Sequence, residues 1–330
     1  MLPLPRGPSL VLPNHSRATG ASLKRSTATK SFGTGKREAH DSSAFYKRRL
    51  FAAVPIEERP DSINPISSHL LDTVFPHSSE SMAELPDNCV SLMVTSPPYN
   101  VGKDYDLDLT LDAYLDFLKA VLAETYRVLV PGGRVAFNVA NIGRKPYIPL
   151  NGYVATLASE IGFLMRGEII WVKAKGASGS CAWGSWMSAA NPTLRDLHEY
   201  VLVFSKQRFD RPRDGRSTIT RDEFMAATTS VWHIPPESAR RVGHPAPFPV
   251  ALVERLIHLY TFEGETVLDP FMGSGSTAVA AVNCQRHFVG YEIDSNYVAI
   301  CKERIARINR EEQLSLVATA VPNPSPFATE

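Results

Sequence analysis

The chain has 330 residues, of which 44% are hydrophobic and 21% charged, and its formal net charge is +1. This size suits one large α/β domain or two smaller ones, and no apolar stretch approaches the ~20 residues that span a bilayer. The four cysteines (Cys89, Cys181, Cys284, Cys301) lack C-x-x-C spacing, which disfavours disulfides and a structural zinc site, so we expect no bound metal. The opening segment, broken by several prolines, is unlike a signal peptide, so we expect a cytoplasmic protein without a membrane partner.

Both ends of the chain differ in composition from its middle. Residues 1–40 are rich in Ser, Thr, Gly, Pro and basic residues, which predicts a disordered basic tail. Residues 312–330 are predicted to be a second disordered tail, because Pro322, Pro324 and Pro326 argue against a terminal helix. A single folded domain is expected over 41–311.

Between the tails, apolar runs closed by turn residues predict strands, and apolar residues spaced by three and four predict helices. In chain order we expect a strand at 89–95, a helix at 111–129, a strand at 134–139, a helix at 153–161, strands at 168–172 and 200–204, a helix at 249–260, a strand at 266–268, a helix at 277–283, a strand at 287–291 and a helix at 295–308. Pro131-Gly132-Gly133 is expected to end the first helix, and 205–248 is expected to be irregular. Alternating strands and helices imply an α/β fold with a mostly parallel sheet covered on both faces.

Residues 266–277 (TVLDPFMGSGST) indicate a strand, a glycine turn and a helix start capped by Ser276 or Thr277. An acid, Glu292, follows about 20 residues later, the distance at which a carboxylate binds ribose hydroxyls in nucleoside-binding units. No lysine follows Gly275, so the turn lacks the cation that a triphosphate needs. No third glycine follows at the spacing of the G-x-G-x-x-G motif, so a dinucleotide does not fit either. S-adenosylmethionine, a nucleoside with a cationic sulfonium and no phosphate, fits better. The alternative is an ordinary strand–helix turn.

Thr95-Ser96-Pro97-Pro98-Tyr99-Asn100 follows a buried strand directly. Adjacent prolines lack N–H groups, which leaves the Pro97 carbonyl available to a cleft, while Ser96 adds an acceptor and Tyr99 a ring for stacking. Two acceptors on an aromatic exocyclic amine would localise its lone pair for attack on a sulfonium methyl. Positioning and electrostatics would carry the rate. The alternative is a rigid strand end.

These two motifs resemble the amino-methyltransferases of DNA, which share Ser/Asp/Asn-Pro-Pro-Tyr and Phe-x-Gly-x-Gly. The order here, with the Pro-Pro-Tyr motif first, is similar to the permuted beta class, over about 78–308. The resemblance implies a Rossmann-like class I methyltransferase fold, a doubly wound sheet with circularly permuted motifs. It also implies catalytic residues at Ser96, Pro97, Pro98 and Tyr99. The implied cofactor residues are His244, Phe248, Asp269, Phe271, Gly273, Gly275, Thr277 and Glu292.

One departure from the family pattern concerns the cofactor side. Family members often carry Gly-Asp-Ser before a Leu-Pro-Asp-Asn segment. Here Leu85-Pro86-Asp87-Asn88 is preceded by Pro76-His77-Ser78, so His77 replaces the usual acid.

By resemblance, the serine of Ser96-Pro-Pro-Tyr99 favours cytosine as the target base. The 4-amino group of this cytosine would be methylated after the base is flipped out of duplex DNA. Cytosine C5 methylation is disfavoured because none of the four cysteines follows a proline. Three alternatives stay open: N6 methylation of adenine in DNA, an RNA or protein-glutamine substrate, and a DNA-binding homologue without activity.

Sequence recognition is expected from basic irregular segments, an insert at 205–241 and a loop at 173–191 that holds Trp183 and Trp186. The candidate DNA-contacting residues are Lys173, Lys175, Arg195, Lys206, Arg208, Arg211, Arg213, Arg216 and Arg221. Their alternative is a solvated loop, and for the tryptophans it is packing. A nucleoid-associated enzyme with duplex DNA and a cognate restriction endonuclease as candidate partners is expected, either as a monomer or as a homodimer.

Overall fold

A computed structural model describes residues 48–49, 62–99, 108–143, 145–173, 184–212, 215–237 and 248–320, with the backbone alone at 309 and 311–320. The chain divides into two units, Met1–Ile56 and Glu57–Glu330, and all the elements below belong to the second. Within these ranges no helix is both long and apolar enough to cross a membrane.

The described elements alternate between strands and helices. In chain order they are β1 (Thr73–Phe75), β2 (Val90–Thr95), α1 (Leu111–Val128), β3 (Leu129–Val139), β4 (Ile142–Gly143), β5 (Tyr147–Ile148), α2 (Leu150–Ile161), β6 (Phe163–Val172), β7 (His198–Lys206), α3 (Arg221–Ala227), β8 (Val231–His233), α4 (Val250–Tyr260), β9 (Thr266–Asp269), α5 (Ser276–Asn283), β10 (His287–Tyr291) and α6 (Ser295–Ala320). A 3₁₀ turn, Ser68–Leu70, precedes β1.

Eight strands form one sheet in the order β1-β10-β9-β2-β3-β7-β6-β8. The neighbours from β1 to β3 are parallel, β7 is antiparallel to both β3 and β6, and β8 is parallel to β6. Among these eight strands, β7 alone therefore runs against the rest. This arrangement is the expected mostly parallel α/β sheet, and β4 and β5 form a separate antiparallel pair.

The sheet has a hydrophobic core on each face, which makes it doubly wound. Residues of β2 divide between the two faces, with Leu92 and Val94 in one core and Val90 and Met93 in the other. Helices α4, α5 and α6 cover the first core, and α1 and α2 cover the second. Because both faces are buried, the strands read as continuous apolar runs, which explains why their positions could be predicted.

Several boundaries differ from the prediction. Helix α1 ends at Val128, and Pro131-Gly132-Gly133 lies inside β3 because Gly132 takes a positive φ of 73° and lets the strand continue. The region 205–248, predicted to be irregular, contains α3 and β8. A capping box between Thr220 and Glu223 starts α3, a signal that the basic composition of the region obscured.

The last helix is longer than predicted. Residues 312–320, assigned from composition to a disordered tail, continue α6 to Ala320. This stretch contains Glu, Gln, two Leu and two Ala, which favour helix, and Pro322 acts only on the residue before it. The prolines after Ala320 therefore limit where α6 can end, but they do not prevent it from extending to Ala320.

Candidate active site

The two predicted motifs meet at the carboxyl ends of neighbouring strands. Strands β2 and β9 pair in parallel, with Met93 opposite Leu268. Just beyond this paired segment, Thr95 Oγ1 donates a hydrogen bond of 2.6 Å to Asp269 Oδ1. Residues 96–99, 269–274 and 276–277 consequently line one cavity of about 530 Å³, a volume typical of small-molecule sites.

Most of the predicted catalytic and cofactor residues lie in the wall of this cavity. They are Ser96, Pro97, Pro98, Tyr99, Phe248, Asp269, Phe271, Gly273, Thr277 and Glu292. The wall also contains residues to which the sequence assigned no cofactor or base contact, among them Leu109, Tyr114, Phe117, Ile293, Asp294 and Tyr297. His244 lies outside the described residues. The cavity is thus lined by carboxylates and aromatic rings from both halves of the sheet.

The Asp269 carboxylate holds the glycine turn in place by hydrogen bonds. Its Oδ1 accepts from the backbone N–H of Phe271 at 3.0 Å as well as from Thr95, and its Oδ2 accepts from Thr277 Oγ1 at 2.5 Å. Burial raises the pKa of Asp269 to about 6, against the opposing effect of these donors. The predicted cap was wrong, because Gly275 is the N-cap of α5 and the Thr277 hydroxyl is turned to Asp269.

Glu292 fixes the other side of the turn. Its Oε2 accepts from the Gly273 backbone N–H at 2.7 Å, and its Oε1 accepts from that of Asp294 at 2.8 Å. Burial raises its pKa above the ordinary value, while these backbone bonds act in the opposite direction. Each carboxylate oxygen keeps a second lone pair, so Glu292 can bind the turn and a ligand hydroxyl together.

Gly275 faces the protein interior and does not line the cavity. Its φ is 83°, and a Cβ there would lie 2.3 Å from Cys301 Sγ. The prediction that Gly275 approaches the cofactor is therefore corrected. Glycine is needed here because α6 packs against the turn, whereas Gly273, with a φ of 51°, remains in the cavity wall.

The Pro-Pro-Tyr side of the cavity is backed by a buried polar network. Ser96 Oγ and the Tyr99 hydroxyl are 3.0 Å apart, and Tyr99 donates to Glu199 Oε2 at 3.2 Å. Asn138 Nδ2 lies 3.2 Å from Ser96 Oγ, 2.9 Å from the Tyr99 hydroxyl and 2.6 Å from Glu199 Oε2. Lys173 Nζ pairs with Glu199 Oε1. The two residues that could serve a target base are thus tied to three more polar side chains.

Tyr99 is held as a neutral phenol. Burial, followed by the charge of Glu199, raises its pKa well above the ordinary value. Tyr114 donates from its hydroxyl to the Pro98 carbonyl at 2.8 Å, which ties the turn to α1. Sequence reasoning missed Asn138 and Glu199 as parts of the site. The available signal was an acid and an amide at the site end of two otherwise apolar strands, β7 and β3.

Two of the predicted DNA-contacting residues are internal. Lys206 is 4% exposed and donates to Asn88 Oδ1 at 2.6 Å and to the carbonyls of Arg127 and Leu129. The Arg211 side chain is 10% exposed and pairs with Glu265. A buried cation must be matched by acceptors, and both residues have theirs within the fold. We therefore exclude them from the DNA-contacting set.

The basic cluster after β7 lies at the edge of the sheet opposite the cavity. Because β7 runs antiparallel to β3, the first residues of β7 reach the edge of the cavity. Its last residue, Lys206, lies beside the start of β3. Farther along, Arg216 pairs with Glu263, which precedes β9. Loop 184–197, by contrast, leads into β7 at the cavity edge and carries the exposed Arg195 and Trp186. Lys175, Trp183 and Arg213 lie outside the described residues.

His77, the departure from the family pattern, lies in the cavity wall beyond β1. Its Nε2 is 2.7 Å from Glu84 Oε1, and its Nδ1 is 3.0 Å from the Ser78 carbonyl. The bond to the Ser78 carbonyl and the neighbouring Glu84 raise its pKa, against a smaller opposing effect of burial. A carboxylate therefore stays within reach of this wall although the chain has no acid at position 77.

Comparison with known proteins places residues 90–303 on the profile of the DNA methylase family of N6 and N4 methyltransferases. The type II methyltransferase M.HpaI of Haemophilus parainfluenzae is 30% identical over 247 residues, 70% of this chain and 73% of the relative. M.BglII of Bacillus subtilis is 28% identical over 242 residues, and this chain spans 64% of its length. M.MjaI of Methanocaldococcus jannaschii is 29% identical over 272 residues, 88% of its length.

Solved structures agree with this assignment. TTHA0409 of Thermus thermophilus, determined in complex with S-adenosyl-L-methionine, is 30% identical with a TM-score of 0.56, and the match covers 70% of this chain and 91% of that one. PvuII DNA methyltransferase, which is cytosine-N4-specific, has a TM-score of 0.57 at 21% identity over 70% of this chain and 85% of that one. The second likeness supports the fold alone.

Proposed function

Because this chain belongs to the DNA methylase family of N6 and N4 methyltransferases, we propose that it methylates the 4-amino group of cytosine in duplex DNA, with S-adenosyl-L-methionine as the methyl donor. The observation that carries this proposal is the hydrogen bond between Thr95 and Asp269. It joins the ends of the two strands, so that the Pro-Pro-Tyr segment and the glycine turn share one cavity.

The cavity wall fits the cofactor. Glu292 offers carboxylate oxygens to ribose hydroxyls, Phe271 and Phe248 offer apolar surface to the adenine ring, and Gly273 leaves room beside the turn. The acidic lining suits a ligand that carries a sulfonium and an ammonium group. When bound, the cofactor supplies an electrophilic methyl group that needs no further activation.

Ser96, Pro97 and Tyr99 would act on the base. The Tyr99 ring would stack on it, and Ser96 Oγ with the Pro97 carbonyl would accept hydrogen bonds from the amine. They would orient the amine so that its nitrogen lone pair faces the methyl carbon that the bound cofactor would supply. Positioning of the amine is the main contribution of these residues.

The DNA-facing surface that we propose is loop 184–197, which leads into the start of β7, where Glu199 contacts Tyr99 of the cavity wall. Trp186 is 66% exposed and Leu194 87% exposed, and Arg195 is exposed on the same segment. Arginine binds phosphates, while exposed apolar side chains can contact bases or fill the gap that a flipped base leaves. The likeness to type II methyltransferases also suggests a setting with a cognate restriction endonuclease.

Mass analysis of nucleosides from DNA treated with the protein and methyl-labelled cofactor tests the proposal. We expect labelled N4-methylcytosine, and label in N6-methyladenine would overturn the choice of base. Ser96→Ala and Tyr99→Ala should abolish transfer and retain cofactor binding. Matched controls are Ser159→Ala and Tyr153→Ala, which alter exposed side chains on α2 and should leave transfer unchanged. Full activity in Ser96→Ala would refute the role of its hydroxyl.

A further inference from the structure

Glu199 is a buried acid behind the base pocket, and the proposed chemistry does not use it. It is 7% exposed at the start of β7, and Asn138 is 1% exposed on the neighbouring β3. A buried carboxylate is costly unless it is paired with a cation and hydrogen-bonded. Here Lys173 pairs with one oxygen, while Tyr99 and Asn138 donate to the other. Both oxygens of this carboxylate therefore have donors within the fold.

The Glu199 carboxylate sets the direction of the neighbouring hydroxyl protons. A carboxylate can only accept, so Tyr99 must direct its proton to Glu199. The Tyr99 oxygen is then left to accept, and Ser96, 3.0 Å away, must be the donor in that pair. With its own proton used in this way and one lone pair accepting from Asn138, Ser96 Oγ has one lone pair and no proton left for the cavity. An acceptor at this position is what an amine N–H requires.

Glu199 also fixes the amide of Asn138. Reversing this amide would place its oxygen 2.6 Å from a carboxylate oxygen, where two acceptors repel each other. Within the described part of the chain, Asn138 Oδ1 has no hydrogen-bond partner, so its amide orientation is determined from the nitrogen side. The two amide N–H groups therefore point to the side where Glu199 and the two hydroxyls lie, and the three oxygens share them.

We propose that Glu199, paired with Lys173, is a positioning residue that orders the Ser96 and Tyr99 hydroxyls so that Ser96 accepts from the target amine. This inference rests on the proposed function for its substrate, whereas the hydrogen-bond chain stands on the geometry alone. It also assigns Lys173 to the base pocket, although the sequence suggested a phosphate contact. Lys173 Nζ lies 5.0 Å from the centre of the Trp171 ring, which further holds it in place.

The first test is a double-mutant cycle on the full chain. Glu199→Gln should lower kcat by about 100-fold with KM for cofactor and DNA unchanged, because a glutamine amide can donate and so reverse the chain. In a Tyr99→Phe background, which keeps the ring but breaks the chain, the same change should cost less than about threefold. Glu168→Gln on β6 is the matched control. Additive losses would overturn the proposal.

A second readout does not depend on methyl transfer. The ¹³Cζ resonance of labelled Tyr99 should shift in Glu199→Gln and stay in place in Glu168→Gln. An unchanged resonance in Glu199→Gln would overturn the hydrogen-bond chain. If the wild type transfers methyl groups to no DNA while the resonance responds, the proposed function fails and the chain stands.

Lys173 is tested through the salt dependence of DNA binding. Lys173→Met should lower kcat about 10-fold at saturating DNA. It should leave unchanged the slope of the logarithm of the DNA-binding constant against the logarithm of the salt concentration (the salt slope), while Lys173→Arg should keep most activity. A salt slope smaller by about one, with kcat unchanged, would show a phosphate contact and overturn this part of the proposal.

Discussion

Replacing Gly275 with alanine separates a packing role from a cofactor role. The new Cβ would lie 2.3 Å from Cys301 Sγ and 2.9 Å from Cys301 Cβ, in a residue with a φ of 83°. A left-handed backbone costs a non-glycine residue about 1–2 kcal/mol. The close contact adds about 1–3 kcal/mol of overpacking. We therefore expect Gly275→Ala to lower the free energy of unfolding by about 2–5 kcal/mol.

Urea unfolding followed by circular dichroism measures this change. Gly152→Ala is the control, since a Cβ at that position in α2 meets nothing within 4 Å, and it should stabilise by about 0.5–1 kcal/mol. Cys301→Ala should recover part of the loss in the double variant, because it removes the 2.3 Å contact and leaves the 2.9 Å one. If Gly275→Ala unfolds like the wild type and only binds cofactor more weakly, the packing argument is refuted.

Three further predictions concern charge. Because burial raises the pKa of Asp269 to about 6, the folded protein binds a proton that the unfolded chain does not between about pH 4 and pH 6. The free energy of unfolding should fall as the pH rises through that window, by up to about 3 kcal/mol from Asp269, and urea titrations of Asp269→Asn should show a smaller dependence, of which Glu292 retains a part. Arg195→Gln should reduce the salt slope of DNA binding by about one, whereas Arg216→Gln, at the opposite edge, should leave it unchanged; equal effects would contradict the assigned DNA face. Lys206→Met should destabilise by about 2–4 kcal/mol in chemical denaturation with no change in that slope, since the buried Lys206 donates to oxygens of Asn88, Arg127 and Leu129.

Strands buried on both faces were the most predictable part of the fold. Continuous apolar runs marked β2, β9 and β10 closely, and the motifs after β2 and β9 indicated which sheet edge would hold the site. The short β1 carries too few residues for a period, and its position depends on pairing with β10. The direction of β7 also left no trace in its sequence, because a buried strand reads alike in either direction.

The antiparallel direction of β7 explains the errors in the predicted site. With β7 reversed, the basic residues that follow it lie away from the cavity, and Glu199 lies beside Tyr99 instead. Charge composition predicted that Lys206 and Arg211 were exposed, yet both are matched by acceptors distant in sequence. A pairing between residues far apart in the chain is decided by topology, which local patterns do not record.

Strand β7 is held in place both along its length and at its carboxyl end. It is paired along its length with β3 and β6, and Lys206 fastens its far end to the starts of β2 and β3. Loop 184–197 enters at the near end, so changes in the length or residues of that loop do not slide Glu199 out of register. The surface that would read a DNA sequence can thus be exchanged during evolution while the chemistry below it stays the same, which makes new specificities accessible through a single loop.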